Sequence, residues 1–428
     1  MAVIGGIIGG GIFRTPATVA ERVGTPALTL AVWAVGGVIA LIGALCFAEL
    51  GQRRPRAGGG YVYLRETWGP LTAFLYGWAL LLVIATGAMA AVAVTFAGYA
   101  LALAGLPDRL TVPLAIAAIV ALSGINWLGV RPGALTQNVL TLLKLGALAL
   151  LIVVGLAAAV PAGAAAPVPH PAAAGGWGVG SLGAALVPVV FTYGGWQQTN
   201  FLAEEIIEPE KNLPRALVFG VALVVAVYLL ANLAYLRVLG AGGLAASTAP
   251  AADTMERLVG PAGRTLIAGG IAVSALGFLN LVILVTPRVL QAMAADGLFF
   301  PRLAKLHPVH RTPTAAIAFL AAWAVALTLS GTFGQLVDYV TFADWIFFGL
   351  TAAGLFIYRS RDPAGPGGAG FRVPGYPWTP ALFVAAAFYV VVSSVLANLR
   401  NATVGGLLLG LGVPVYRYWN GRSRRRPA

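Results

Sequence analysis

Residues 7–13 read IIGGGIF, and residues 191–197 read FTYGGWQ. Each glycine run interrupts an apolar segment of about twenty residues, the length at which a helix spans the hydrocarbon layer of a bilayer. Glycine weakens a helix, and unwound backbone at that depth is tolerated only where it lines a cavity or is buried. The two runs therefore predict two broken membrane helices.

The composition excludes an ordinary water-soluble globule. Of the 428 residues, 59% are hydrophobic and 10% are charged, whereas soluble domains carry about 25% charged residues. The net charge of +13 comes from basic residues in short loops between apolar segments, where they orient helices in a lipid bilayer, so we expect no nucleic-acid partner. The single cysteine, Cys46, excludes a disulfide framework and a multi-cysteine metal site, and the three histidines lie in loops that offer no metal geometry.

The apolar pattern predicts an all-α membrane protein, with residues 1–428 forming one domain of twelve transmembrane helices. The predicted segments are 2–20, 27–50, 70–104, 112–130, 135–159, 182–203, 214–239, 263–289, 313–331, 335–358, 378–398 and 402–418. The first ten divide into halves of five, approximately 1–159 and 182–358, and the last two are additional helices. The interrupted segments hold the first place in each half.

The basic residues predict the orientation. With the N-terminus in the cytoplasm, nineteen Lys and Arg residues fall on the cytoplasmic side and six fall outside, so both termini are expected to be cytoplasmic. The first segment begins with no preceding turn, and we expect the natural chain to be longer at its N-terminus. Arginine outnumbers lysine 24 to 3, which favours a GC-rich bacterial source and hence the inner membrane.

The backbone at the breaks predicts a site for an amino acid. Beyond the first break, residues Gly10 to Ile12 open a half-helix whose free N–H groups suit a carboxylate. Before each break, the carbonyls of Ile7 and of Phe191–Gly194 carry partial negative charge and suit an ammonium group. The glycines also satisfy the spacing of close helix packing, but paired breaks at matched positions favour a transporter's substrate site.

Four stretches of the chain, in order, carry a family resemblance. They are IIGGGIF (7–13), ALCFAELGQRRPRAGGGYVYLRETWGPLTAFLYGW (44–78), QNVLTLLKLGAL (137–148) and FTYGGWQQTNFLAEEIIEPEKNLPRA (191–216). Together they resemble the L-type amino acid transporter family of the amino acid–polyamine–organocation superfamily. The resemblance implies a LeuT-like fold with a five-plus-five inverted repeat, alternating access around a central amino acid site, and sodium-independent exchange without a cofactor.

The resemblance also implies which residues form the site. The substrate-binding residues would be Ile7, Ile8, Gly9, Gly10, Gly11, Phe191, Thr192, Gly194, Gln197, Phe342 and Asp344. Phe191 and Trp196 would gate the site. The charges after segment 6 allow two interpretations: Glu204 and Glu205 could gate as part of a cytoplasmic ion-pair latch, or they could lie at a solvated helix end with local pairs, and the second, structural role is favoured. Gly10 departs from the serine that is frequent in the family.

Two charged residues within segments, and one at a segment end, call for separate interpretation. The resemblance implies that Lys144 replaces a sodium ion and ties segment 5 to segments 1 and 8; its position well inside the segment disfavours snorkelling to the interface. Asp344 stands where animal members tend to carry Asn, and it could favour a polar or cationic side chain, carry a proton, or only bond between helices. Glu49 is expected to form a surface pair with the arginines at 53–56.

The leading functional prediction is an exchanger of neutral L-amino acids, and the alternative is a proton-coupled symporter of amino acids or amines. A sensor that binds amino acids without transporting them is a third possibility. An enzyme is not expected, because the segments contain no histidine and no paired catalytic carboxylates. The loop at 105–111 lacks cysteine, so a disulfide-linked heavy chain is not expected and a stand-alone bacterial transporter is.

Overall fold

The computed structural model describes residues 1–159, 179–331, 333–363 and 370–424, and within these residues every α-helix is given below and no strand occurs. The helices are α1 (Ala2–Ile7), α2 (Gly11–Val23), α3 (Pro26–Arg53), α4 (Gly60–Trp68), α5 (Pro70–Ala79), α6 (Ala85–Ala104), α7 (Thr111–Trp127), α8 (Val130–Ala157), α9 (Val179–Thr192), α10 (Pro209–Ala246), α11 (Pro250–Val259), α12 (Pro261–Ala295), α13 (Thr314–Ser330), α14 (Phe333–Arg361), α15 (Trp378–Ala397), α16 (Leu399–Gly410) and α17 (Gly412–Arg424).

Seven helical stretches in the described residues are long and apolar enough to cross a membrane. They are Pro26–Arg53, Pro70–Ala104, Asp108–Trp127, Val130–Ala157, Pro209–Ala246, Pro261–Ala295 and Trp378–Leu396. The expectation of an all-α, multi-spanning membrane protein is confirmed. The total of twelve spans and the inverted repeat stay predictions.

Both predicted helix breaks are confirmed. Helix α1 ends at Ile7, Ile8 is extended, and α2 begins at Gly11. Helix α9 ends at Thr192, and after a turn the chain continues as a 3-10 helix, Trp196–Glu205.

The two breaks touch each other through backbone. Gly195 has a φ of +112°, which L side chains rarely adopt, and its missing Cβ leaves room for the carbonyl of Gly6. A Cβ at Gly6 would in turn lie 2.8 Å from the carbonyl oxygen of Gly195. Glycine is therefore needed at both positions for the two unwound segments to approach this closely.

Several elements differ from the expected segments. The stretch at 70–104 contains a π-helical turn, Leu80–Ile84, between α5 and α6, and the short helices α4 and α11 were not predicted. Helix α10 bends at Gly240, which has a φ of +69°. The single helix expected at 402–418 is two helices, α16 and α17, that meet at Leu411.

Two buried apolar clusters surround the breaks. One joins α2, α3 and α10, with Trp33, Phe47 and Tyr228 at its centre, and the other joins α6, α7, α12 and α13. Helix α1 contacts α8, α10 and α12, and helix α2 packs against α9 and α10. Side chains of both breaks, among them Ile7, Ile8 and Tyr193, belong to the first of these clusters.

Candidate functional site

The start of α2 faces open space. Gly10 is exposed, and a Cβ built there would meet no heavy atom within 4 Å, while the nearest atom to a Cβ at Gly9 would be Cδ2 of Phe278 at 3.7 Å. The first N–H groups of a helix have no partner inside that helix. Those of α2 therefore open onto a cavity, and the binding of a carboxylate there stays a prediction.

The carbonyl side of the first break is already occupied. The carbonyl oxygen of Ile7 accepts hydrogen bonds from the Gly9 N–H at 2.9 Å and from the Tyr228 hydroxyl at 3.0 Å. Because a carbonyl oxygen has two lone pairs, Ile7 is not free to receive an ammonium group as expected. The same Tyr228 hydroxyl lies 3.5 Å from the carbonyl oxygen of Thr192, so one side chain of α10 spans both breaks.

Lys144 of α8 is fully buried beside the first break. Its ammonium donates to the carbonyl oxygens of Ile8 at 2.7 Å, Gly5 at 3.1 Å and Ser274 at 3.4 Å. Gly277 of α12 makes this possible, since a Cβ there would lie 2.8 Å from Cε of Lys144. The lysine therefore connects α8, α1 and α12, and it does not extend to an interface.

The carbonyls beside Lys144 also receive a hydroxyl. The Ser274 side chain lies 3.2 Å from the carbonyl oxygens of both Ile8 and Gly9. Ile8 thus contributes its backbone to this cluster, whereas its side chain is buried in the apolar core. Its role in the site is structural support of the break rather than contact from the cavity.

A large cavity, here called the vestibule, opens beside the breaks. Its volume is about 1190 Å³, and among its lining residues are Ile7, Gly9, Gly10, Gly11, Phe191, Thr192 and Gly194 of the predicted site. Its other end is lined by Arg22, Ala184, Asn398 and Asn401, where α2 and α15 end and α9 begins. The guanidinium of Arg22 donates to the carbonyl of Ala184 there.

A smaller cavity, here called the inner pocket, adjoins the vestibule. Its volume is about 200 Å³, and it is lined by Gln197, Asp344 and several aromatic residues. Phe191, Gly194 and Phe278 line both cavities, so they form the boundary between them. Of the remaining predicted site residues, the Phe342 side chain lies outside the described residues.

Family comparison decides what kind of protein has this architecture. The sequence model of the amino acid permease family matches residues 1–409, which is most of the chain. The chain belongs to the amino acid permease family. This membership confirms the resemblance to transporters of the amino acid–polyamine–organocation superfamily, and the family is one of transporters rather than enzymes, as expected.

The permease is similar to named transporters over nearly all its length. The b(0,+)-type amino acid transporter 1 of Homo sapiens is 35% identical over 361 residues, which cover 83% of this chain and 74% of that protein. The serine/threonine exchanger SteT of Bacillus subtilis (strain 168) is 33% identical over 418 residues, 97% and 93% of the two chains. The large neutral amino acids transporter small subunit 2 of Homo sapiens is 31% identical over 431 residues, 99% and 80%.

Several ion pairs of the permease lie where α3 and α14 end. This is the end opposite to the one at which the vestibule reaches Arg22 and the end of α2. Glu205 makes a bidentate pair with Arg288 of α12, at 3.0 and 3.2 Å, and Arg288 is 2% exposed. Glu204 is exposed, and Glu208 pairs with nearby Lys211 on the surface. The structure thus separates the glutamates: Glu205 joins two distant elements, and Glu208 makes only the local pair expected of a solvated helix end.

Glu49 is not the surface residue that the sequence predicted. It is fully buried, and it accepts from Arg53 at 2.9 Å, from Arg359 at 2.9 and 2.5 Å, and from the Val373 N–H at 2.7 Å. Neither Arg359 nor Val373 is near Glu49 in sequence, so only the fold brings them together. Removing one partner from such a buried pair leaves an uncompensated charge and is strongly destabilising.

A further pair closes the same end of the permease. Asp296, just after α12, pairs with Arg65 at 2.6 Å and accepts from the Tyr61 hydroxyl at 2.8 Å. Burial, together with the Asp296 carboxylate, raises the pKa of the Tyr61 hydroxyl above its usual range, so it stays a donor. Glu66 of α4 pairs with Arg54 at 2.7 Å. We call the group of Glu49, Glu66, Glu205, Asp296 and their arginine partners the ion-pair face.

Trp196 lies in packing rather than on a cavity wall. It is buried against Phe47, with ring centroids 4.9 Å apart, and against Phe348 and Phe383, each at 6.2 Å. Phe191 is half-buried on the boundary of both cavities. Of the two predicted aromatic gates, Phe191 is therefore the one placed where a side chain could separate the vestibule from the inner pocket.

Proposed function

We propose that the permease is a sodium-independent exchanger of neutral L-amino acids that works by alternating access. The observation that carries the proposal is the opening of both helix breaks onto one vestibule, with the N–H groups at the start of α2 unobstructed. A carboxylate at Gly10 and Gly11 is favoured by the helix dipole. Because Ile7 is occupied by Tyr228, the substrate's ammonium would rely on carbonyls of the second break.

Lys144 supports sodium independence. Carbonyls of unwound helices are the groups that coordinate sodium in transporters with broken helices. Here the carbonyls of Gly5, Ile8 and Ser274 receive a covalently attached ammonium instead. A resident positive charge would hold the break in shape through the whole cycle, with no ion to bind or release.

The contrast between the two ends of the molecule supports alternating access. The vestibule is open where α2 ends, and the ion-pair face is closed by Glu205–Arg288, Glu49–Arg359 and Asp296–Arg65. In alternating access the open end closes and the closed end opens, and this requires these ion pairs to rearrange. With the predicted orientation, the vestibule would open outside and the ion-pair face would lie in the cytoplasm.

We also propose the arrangement that the sequence predicted: twelve spans with two inverted halves of five, both termini cytoplasmic, in a bacterial inner membrane. A stand-alone protein is part of this proposal. The single cysteine, Cys46, is fully buried in α3, which disfavours a disulfide to a partner chain. One relative is named a small subunit. The serine/threonine exchanger, whose name mentions no subunit, matches 97% of this chain and therefore supports a stand-alone protein.

Radiolabelled uptake into proteoliposomes tests the proposal. Vesicles preloaded with unlabelled amino acid, and empty vesicles, would be compared across a substrate panel with sodium or choline outside. Exchange predicts uptake only into preloaded vesicles, at the same rate in both salts. Uptake into empty vesicles driven by a sodium gradient would contradict the proposal.

Proton-coupled uptake is the second candidate, because Asp344 offers a group that could carry a proton. It is partly accessible in the inner pocket, and no hydrogen bond or ion pair joins its carboxylate to the residues whose side chains the structure describes. Uptake into empty vesicles driven by an inward proton gradient, and its loss in Asp344→Asn, would establish this candidate in place of exchange.

A further inference from the structure

The inner pocket carries a single kind of charge. Asp344 is the one charged residue among its lining residues in the described part of the chain, and no guanidinium or ammonium faces it there. An ionised carboxylate at membrane depth is expensive unless it is paired. The described residues of the protein therefore supply no cation to pair with this carboxylate when it is ionised.

A second acceptor in the same pocket is also without a partner. The side-chain oxygen of Gln198 is buried and makes no hydrogen bond within the described residues. Its neighbour Gln197 differs, since its oxygen accepts the Gly195 N–H at 2.9 Å and so serves the backbone turn. A buried acceptor without a hydrogen bond is unfavourable, so Gln198 favours a donor in the pocket.

Aromatic and aliphatic side chains share the remaining wall. On its aromatic part, Trp345 stands edge-on to Phe348 at 5.7 Å and to Phe191 at 6.2 Å, and Tyr76 and Phe201 also line the pocket. Aromatic faces attract a cation, and the attraction is stronger where water is displaced. The same faces pack well against methylene groups.

We propose that the inner pocket is a side-chain subsite for an amino acid whose side chain ends in an ammonium or guanidinium group. The charged end pairs with Asp344 and donates to Gln198, and the stem lies against the aromatic wall. Phe191 and Gly194 border both cavities, so a substrate held at the breaks extends its side chain past them into the pocket. The inference rests on the proposed exchange and extends its substrates from neutral to cationic amino acids.

Competition between lysine and norleucine tests the subsite, because the two share a four-carbon stem and differ in the terminal ammonium. Both would compete against labelled substrate in exchange by preloaded proteoliposomes. The wild-type permease is expected to bind lysine about tenfold or more tightly than norleucine, as for a charge-assisted hydrogen bond of about 1.5–3 kcal/mol. The Asp344→Asn variant is expected to lose most of that ratio.

A matched control removes the same charge elsewhere. Asp108→Asn changes an exposed aspartate in the short 3-10 turn before α7, and it should keep the wild-type ratio of lysine affinity to norleucine affinity. Gln198→Met removes the second acceptor without altering the pocket charge, and it should lower the ratio about threefold; it also serves if Asp344→Asn fails to fold.

The outcomes separate this inference from the proposed function. If wild-type vesicles exchange neutral amino acids but norleucine competes as well as lysine, the cationic subsite is wrong and exchange stands. An unchanged lysine preference in Asp344→Asn, or in Gln198→Met where only that variant folds, also overturns the subsite. If the wild type exchanges no amino acid at all, the proposed function itself fails.

Discussion

The ammonium of Lys144 lies 2.7 Å from the carbonyl oxygen of Ile8, the residue at which the chain unwinds between α1 and α2. The carbonyl has no helical partner there, so the lysine and the Ser274 hydroxyl together satisfy a group that the break leaves without one. In return, the carbonyls of Gly5, Ile8 and Ser274 surround a charge that lipid would exclude. The break and the lysine therefore depend on each other.

Replacing Lys144 with methionine is expected to abolish exchange and to lower stability by roughly 2–4 kcal/mol, because the side chain keeps its bulk while buried carbonyls lose their donor. Thermal unfolding in detergent and proteoliposome exchange measure the two effects. Lys211→Met, at an exposed surface pair, should change neither. Normal exchange by Lys144→Met would show that the cation is dispensable.

Removing the Tyr228 hydroxyl is expected to slow exchange about tenfold. Tyr228→Phe keeps the edge contact with Trp33 at 5.7 Å but loses the bond to Ile7, which aligns the two breaks. The stability loss should be small, about 1 kcal/mol. Initial rates of exchange measure the effect.

Tyr235→Phe is the matched control for that variant. Tyr235 is also buried in α10, but its hydroxyl bonds to Ile12, beyond the break, at 3.4 Å. Equal loss of rate in the two variants would mean that α10 packing, rather than the link between the breaks, limits exchange.

Removing an ion pair from the ion-pair face is expected to make this end of the permease open more often. Glu205→Gln removes the charge that pairs with Arg288, and the 3-10 helix after the second break should then separate from α12 more often. A cysteine at Thr199, which is 4% exposed, in a Cys46→Ser background would report this by reaction with a membrane-impermeant maleimide. Labelling about tenfold faster corresponds to a loss of roughly 1.4 kcal/mol from the closed state.

Glu208→Gln provides the comparison, since Glu208 makes an exposed pair with Lys211 three residues on. It should leave the labelling rate of the reporter cysteine unchanged. If Glu205→Gln also leaves it unchanged, the pair with Arg288 does not hold this end closed.

Two glycine substitutions should behave in opposite ways. Gly10→Ser places its side chain in open space beside the start of α2, and we expect a hydroxyl there to lower KM severalfold by adding a donor for the carboxylate. Gly195→Ala imposes a Cβ at a φ of +112° and against the carbonyl of Gly6, so exchange should be lost. Tolerance of Gly195→Ala would remove the close contact of the breaks from the mechanism.

The sequence predicted what local signals encode. Glycine runs predicted both breaks, hydropathy predicted the long helices, and a lysine deep in an apolar segment drew attention to Lys144. The sequence analysis did not predict that Tyr228 links the two breaks, although a tyrosine in the middle of an apolar segment was an available signal. In an apolar helix, periodicity does not say which face points inward.

Contacts between distant parts of the chain were beyond reach of the sequence. Glu49 meets Arg359, 310 residues away, and the buried amides of Asn126, Gln137 and Asn280 join α7, α8 and α12 through bonds of 2.9 Å. Each residue looks like an ordinary polar position until the fold supplies its partner. Glu49 was predicted at the surface for that reason.

The π-helical turn at Leu80–Ile84 determines which residues after it face the inner pocket. A π turn holds one residue more than an α turn, and the Thr86 hydroxyl donates at 2.7 Å to the Leu81 carbonyl, five residues back. Leu80 and Ile84 within this turn, and Ala85 and Ala88 after it, line the inner pocket. Losing one residue there would rotate the downstream helix by about 100° relative to the upstream part. A single-codon deletion would thus replace one wall of the pocket wholesale, giving evolution a route to new selectivity that needs no amino acid substitution.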